Sequence, residues 1–151
     1  MNYRQAEKHV NTILMADDDS DDRLLVKEAL NDANFPVANL CFVEDGDALM
    51  DYLLSRINSS AENKMPLPDL ILLDLNMPKK DGREALKEIK SNADLRRIPV
   101  VVFTTSTSPQ DIKASYDCGA NSYISKSATF DSLAAAMQTI KSYWVDYALV
   151  S

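Results

Sequence analysis

The sequence predicts an α/β domain: a doubly wound parallel sheet of five strands with helices on both faces. Two observations carry this. Five short apolar runs alternate with five amphipathic stretches along the chain. And two of the runs, Thr12-Ile13-Leu14-Met15-Ala16 and Leu70-Ile71-Leu72-Leu73, are apolar without interruption and end abruptly in acids. Continuous apolar runs bounded by polar turns are the pattern of parallel strands buried on both faces. Right-handed crossovers between such strands then place helices above and below the sheet.

The elements follow in order. A strand at 12–16 runs into Asp17-Asp18-Asp19, and a helix starts at Ser20 or Asp21 with Leu24, Leu25, Ala29 and Leu30 on its apolar face. Ser20 and the acids beside it suit a helix N-terminus. Phe35-Pro36 breaks the chain before a second strand at 38–43. Gly46 leads into a helix carrying Ala48, Leu49, Leu53 and Ile57. A polar stretch from Arg56 to Pro68 ends in Pro66-Leu67-Pro68. The third strand, 69–74, ends at Asp74, and a third helix carries Ala85, Leu86 and Ile89. Pro99 opens the fourth strand, Val100-Val101-Val102-Phe103, which ends at Thr104-Thr105-Ser106. Ser108-Pro109 starts a fourth helix and Gly119 ends it. The fifth strand, Ser122-Tyr123-Ile124-Ser125, ends at Lys126. The last helix carries Phe130, Leu133, Ala134, Met137, Ile140 and Trp144 at helical spacing.

No segment is left over for a second core, so residues 10–151 read as one domain behind a polar extension at 1–9, with no output domain. The formal net charge is −7 and no basic stripe is visible, which argues against nucleic acid as a partner. The N-terminus lacks an apolar signal segment and no run reaches membrane-spanning length. The expectation is a cytoplasmic protein with free thiols at Cys41 and Cys118, both read as small buried hydrophobes. Asn58-Ser59-Ser60 fits a glycosylation pattern that such a location leaves unused.

Four strand ends carry polar signals: Asp17 and Asp18, Asp74, Thr104, and Lys126. In an open α/β sheet the ligand crevice lies beyond the carboxyl ends of the strands. If the first and third strands are neighbours, three carboxylates converge there. Like charges that close repel by ~4 kcal/mol per pair at about 4 Å and an effective dielectric of about 20. Such a cluster calls for a cation, a shared proton or a chemical purpose. Carboxylates, a carbonyl and waters make an oxygen site for Mg²⁺. A carboxylate can also act as nucleophile toward a phosphoryl group, whose oxygens then need a cation and hydrogen-bond donors. Taken singly, a strand-end Lys is ordinarily solvated and a strand-end Thr ordinarily a turn residue. Together, on one sheet edge, they form a coherent set.

These residues resemble the receiver domain of two-component response regulators. The resemblance covers residues 10–145. It rests on Ile13-Leu14-Met15-Ala16-Asp17-Asp18, on Asp69 through Pro78 with Asp81-Gly82, on Pro99 through Thr105, on Gly119-Ala120 and on Tyr123-Ile124-Ser125-Lys126. It implies the flavodoxin-like sheet order 2-1-3-4-5. It implies Asp74 as the phosphoacceptor for a sensor histidine kinase, with self-phosphorylation and autodephosphorylation as its only chemistry. It implies Mg²⁺ or Mn²⁺ held by Asp18, Asp74 and the backbone carbonyl of Asn76, with Asp17 acting through water. Lys126 would pair with the phosphoryl group, Thr104 would hydrogen-bond it, and Tyr123 would be the aromatic switch. The other reading of Tyr123 is a half-buried strand aromatic. Asp19, Asp21 and Asp22 read either as acids that enrich the field around the cation or, the favoured reading, as a solvated helix start.

Three features specialise the resemblance. Ser127 follows Lys126 where the family usually has proline, which leaves the Lys126–Ser127 peptide open as cis or trans. The Arg56–Pro68 stretch, the segment from Leu72 to Glu84 and the Trp-bearing last helix are similar to stand-alone regulators paired with phytochrome-type kinases. With no output domain, the signal leaves through the surface of the fourth helix, fifth strand and fifth helix. Apolar Val145, Tyr147, Leu149 and Val150 beyond Trp144 suggest a homodimer through that face, or a helix folded back on its own core.

Three other readings compete. A haloacid-dehalogenase-type phosphatase also uses a strand-end Asp, a Lys and Mg²⁺, but the chain is short for one. An EF-hand would use Asp17, Asp19, Asp21 and Glu28, yet its glycine position holds Asp22. A receiver that only binds is disfavoured by the presence of Asp74, Thr104 and Lys126 together.

Overall fold

The computed structural model describes residues 12–34, 39–59, 65–127 and 129–142. Ten elements alternate: β1 (Thr12–Ala16), α1 (Ser20–Asp32), β2 (Asn39–Val43), α2 (Gly46–Ile57), β3 (Leu70–Leu73), α3 (Gly82–Ser91), β4 (Val100–Thr104), α4 (Pro109–Cys118), β5 (Ser122–Ser125) and α5 (Phe130–Lys141). The strands form one parallel sheet in the order β2-β1-β3-β4-β5.

Alternation along each strand divides the core in two. Ile13, Met15, Leu70, Leu72, Val101 and Phe103 face α1 and α5, meeting Val26, Ala29, Leu30, Leu133, Met137 and Ile140. Leu14, Ala16, Ile71, Leu73, Val100 and Val102 face the other way, onto Leu49, Met50 and Leu53 of α2 and Ala85, Leu86 and Ile89 of α3. α4 packs beside α3. Both layers are needed because the central strands bury side chains on both faces, and an uncovered face would leave roughly 2 kcal/mol per large side chain unrealised.

Caps fix the helix starts. Asp19, rather than Ser20, caps α1 by accepting from Asp21 N–H at 2.8 Å. Asp45 caps α2 through Ala48 N–H at 2.7 Å, and Ser108 caps α4 with Pro109 at its first turn. Gly119 ends α4 at φ 114, a left-handed position that a side chain rarely adopts. α2 extends through Arg56 and Ile57, so the start of the polar stretch in the sequence belongs to the helix. Cys41 and Cys118 are both free and half-buried rather than fully inside. No helix among the described residues is long and apolar enough to cross a membrane. The polar extension, Phe35-Pro36 and the apolar tail with Trp144, Val145, Tyr147, Leu149 and Val150 lie outside the described residues.

Candidate functional site

Sheet register brings the acids together. Ala16 is the partner of Leu73, so the next residues, Asp17 and Asp74, leave the sheet side by side. Asp74 N–H donates to the Ala16 carbonyl at 3.0 Å and Asp17 N–H to the Val43 carbonyl at 3.0 Å, which holds both backbones in the sheet to its edge. Carboxylate oxygens of Asp17, Asp18 and Asp74 lie within 4.8 Å of one another. Asp17 and Asp74 are buried while Asp18 is exposed, so the cluster opens to solvent on the Asp18 side.

Local backbone amides organise the carboxylates further. Asp17 Oδ1 accepts from Asp19 N–H at 2.9 Å, and Asp74 Oδ1 accepts from Asn76 N–H at 3.1 Å. Each acid thereby keeps its other oxygen, Oδ2, aimed into the cluster. Those oxygens meet Lys126, which reaches back from the end of β5 with its Nζ 2.8 Å from Asp17 Oδ2 and 3.0 Å from Asp74 Oδ2. Phe103 lies beneath the ammonium, its ring centroid 5.7 Å away.

Asp22 follows the less favoured of its two sequence readings. Its Oδ2 stands 2.6 Å from Lys126 Nζ, so this acid of the α1 first turn belongs to the cluster's charge balance and is not merely a solvated helix start. Three carboxylates, those of Asp17, Asp22 and Asp74, thus share one ammonium. Burial opposes charge on Lys126, but hydrogen bonds to Asp17, Asp22 and Asp74 outweigh it and hold its pKa above the ordinary lysine value. Asp17 goes the opposite way from most paired acids. Burial raises its pKa, and the Lys126 and Asp19 contacts do not fully offset that.

Thr104, at the end of β4, is fully buried, and its Oγ1 has no hydrogen-bond partner. A buried hydroxyl without a partner is costly, and this one stands on the sheet edge that carries Asp74. Tyr123 is half-buried in β5 opposite Val102, and its hydroxyl donates to the Ser106 carbonyl at 2.9 Å. The Lys126–Ser127 peptide is trans, since no described peptide bond is cis. Lys126 therefore reaches the acids without the turn that a proline would impose. Gly82 lets the chain after Asp74 close: a Cβ there would stand 2.1 Å from the Asp74 carbonyl oxygen.

The set is all oxygen donors plus one ammonium, and the orphaned Thr104 hydroxyl adds a donor for an anion. Carboxylates of this kind suit a hard divalent cation, and the residues fit one. An EF-hand does not fit: Glu28 lies inside α1 and Asp19 is occupied as a helix cap.

The family described as "Response regulator receiver domain" matches residues 13–138. The response regulator Rcp1 of Synechocystis sp. (strain ATCC 27184 / PCC 6803 / Kazusa) is 46% identical over 134 residues, covering 89% of this chain and 88% of Rcp1. The crystal structure of the Mn²⁺-bound form of Rcp1 superposes with a TM-score of 0.77 at 42% identity, over 93% of this chain and 99% of that one. That of the phosphorylated cyanobacterial phytochrome response regulator RcpA superposes at 0.79 and 42%, over 94% and 98%.

Proposed function

This chain belongs to the response regulator receiver family, and from that premise we propose that it is a phosphorylation switch whose acceptor is Asp74. One observation carries the reading. The buried Asp74 carboxylate is held 3.0 Å from Lys126 Nζ, on the edge where the Thr104 hydroxyl is buried without a partner. A covalent phosphoryl group on Asp74 supplies both the anion that Lys126 can follow and the acceptor that Thr104 lacks.

In the transfer, an Asp74 carboxylate oxygen attacks phosphorus. The P–N bond to the kinase histidine breaks, and its electron pair leaves with the imidazole nitrogen, which takes up a proton. Asp18, Asp74 and the Asn76 carbonyl would hold Mg²⁺ or Mn²⁺ directly, with Asp17 acting through water. The bound ion would offset charge gathering on the phosphoryl oxygens. Lys126 moves from the carboxylates toward the new phosphoryl oxygens. Thr104 donates its hydroxyl to one of them, and the β4–α4 loop follows. Tyr123, now bonded to Ser106 in that loop, is released to turn inward. One added charge thus biases a two-state equilibrium. The chemistry is confined to self-phosphorylation and autodephosphorylation at Asp74, which separates this reading from a phosphomonoester hydrolase.

The upstream partner is a sensor histidine kinase of phytochrome type, supported by the likeness to Rcp1 and RcpA. The receiver relays the signal in the cytoplasm through its α4–β5–α5 face, as a homodimer extended by the apolar residues from Trp144 to Val150. Sedimentation is expected to show a dimer that Trp144→Glu weakens, and a monomer at high concentration overturns the dimer. The acceptor is tested with acetyl phosphate and Mg²⁺. The wild type should gain an acid-stable, base-labile mass adduct that Asp74→Asn does not gain. An equal adduct on Asp74→Asn rejects the assignment.

A further inference from the structure

Arg83 occupies the first turn of α3, where a cation faces the positive end of the helix dipole. An arginine there needs partners, and it has them on two sides. Toward α4, Nε and Nη2 form a fork onto Asp111 Oδ1 and Oδ2, both at 2.8 Å. Toward the loop that follows Asp74, Nη1 reaches Asp81 Oδ1 at 3.0 Å, and the Leu75 carbonyl and Asn76 Oδ1 at 3.4 Å each.

The contacts continue beyond the fork. Ser106 Oγ donates to Asp111 Oδ2 at 2.6 Å, and the Ser106 carbonyl accepts the Tyr123 hydroxyl at 2.9 Å. A continuous polar chain therefore runs from Asn76 through Arg83, Asp111 and Ser106 to Tyr123. It ties the acceptor loop to the β4–α4 loop without passing through Thr104.

We propose that Arg83 is a positioning residue that holds the β4–α4 loop in its resting place through Asp111 and Ser106, and so sets how readily Thr104 closes on a phosphoryl group at Asp74. The proposal rests on the reading of Asp74 as phosphoacceptor. Ser106 lies two residues after Thr104, so a movement of Thr104 toward Asp74 carries Ser106 with it. The Ser106–Asp111 bond then lengthens or breaks, because Asp111 is fixed from the other side by Arg83. The clamp stabilises the resting arrangement and not the shifted one. Removing it moves the equilibrium toward the shifted loop. The Arg83 and Asp111 side chains are 42% and 20% exposed, so water and salt screen the pair and the bias is a modest one.

Binding of beryllofluoride with Mg²⁺, a non-covalent stand-in for the phosphoryl group, reads this bias by calorimetry. Arg83→Gln and Asp111→Asn should each raise the affinity about fivefold, within the usual range of coupling between sites. The double variant should gain no more than either single one, because both remove the same clamp. Arg83→Lys, which keeps the charge but not the fork, should fall between wild type and Arg83→Gln. Without ligand, the amide resonances of Ser106 and Tyr123 in Arg83→Gln should shift toward their ligand-bound positions. A purely structural Arg83 would lower the thermal midpoint and leave the affinity unchanged. That result, a fall in affinity or additive gains in the double variant would each overturn the proposal. Wild-type binding that Asp74→Asn abolishes keeps this test separate from the acceptor assignment. Wild-type binding that survives Asp74→Asn, or no wild-type binding at all, overturns both.

Discussion

The backbone N–H of Lys126 donates to the Thr104 carbonyl at 2.8 Å. The two residues proposed to face a phosphoryl group from β4 and β5 are therefore fixed to each other through the backbone. β4–β5 pairing sets this up, with Thr104 opposite Ser125 one residue earlier. Lys126 has its ammonium engaged with acids, whereas Thr104 has its hydroxyl buried without a partner. The two halves of the pair should respond very differently to substitution.

Thr104→Val keeps the shape and removes the orphaned hydroxyl. Replacing a buried, unpaired polar group by an apolar isostere is neutral or stabilising, so the unfolding free energy should stay within about 1 kcal/mol of wild type or rise. Beryllofluoride affinity should fall by roughly tenfold or more, since a hydrogen bond to a charged group contributes about 1.5–3 kcal/mol. Denaturant melts and calorimetry on the same preparation check both halves. A large loss of stability with unchanged affinity would mean that the hydroxyl serves the resting fold instead.

Asp17→Asn makes a similar split. Burial raises the Asp17 pKa, so its charge opposes folding at neutral pH while no divalent cation is bound. The amide should raise metal-free stability and the thermal midpoint. The same variant should lose most of the midpoint increase that Mg²⁺ gives the wild type. Scanning calorimetry with Mg²⁺ and with a chelator reads both, and a destabilised Asp17→Asn would show that Lys126 holds the charged acid favourably.

Much of this site was legible in the sequence for a physical reason. Buried parallel strands must be apolar throughout, so their polar ends stand out, and Asp17, Asp18, Asp74, Thr104 and Lys126 were all visible as run ends. Asp22 can be read beside the cation, but the solvated helix start is the favoured reading, because an acid in a first helical turn already has a sufficient local explanation, and its bond to Lys126 exists only once β1 and β5 share a sheet edge. Arg83 did leave a signal, a cation at the wrong end of a helix, but its partner Asp111 sits where an acid is expected and so gave no hint of pairing. The Lys126–Ser127 peptide was open because a missing proline removes the reason for cis without dictating the loop that replaces it.

Asp111 gives a pH dependence that lies away from the acid cluster. Hydrogen bonds from Arg83 and then Ser106 pull its pKa down to about 2 from 3.8. A carboxyl with a depressed folded-state pKa contributes stability that is present above its unfolded value and lost as pH falls through the folded one. The wild type should therefore lose part of its advantage over Asp111→Asn between about pH 4 and pH 2, and none between pH 5 and pH 7. Urea melts of both proteins across that range test this, and a constant difference between them down to pH 2 would dissolve the pairing. High salt should shrink the difference, because the pair is partly exposed.

Lys126→Ala should separate the two cations that compete for the cluster. Lys126 Nζ is in contact with Asp17, Asp22 and Asp74, and its side chain is only 9% exposed. Removing it leaves buried carboxylates without a counter-charge, a loss of about 3–5 kcal/mol of stability where such a pair is broken. A divalent cation bound by the same oxygens restores that counter-charge. The destabilisation should therefore be large in chelator and much smaller in saturating Mg²⁺. The metal also no longer has to draw Asp17 Oδ2 and Asp74 Oδ2 away from an ammonium. Its affinity should rise by about tenfold, the equivalent of roughly 1.4 kcal/mol. Chemical melts with and without Mg²⁺, together with a direct metal titration, measure these quantities. An equal loss of stability in both conditions would mean that Lys126 acts through packing on Phe103 and not through charge.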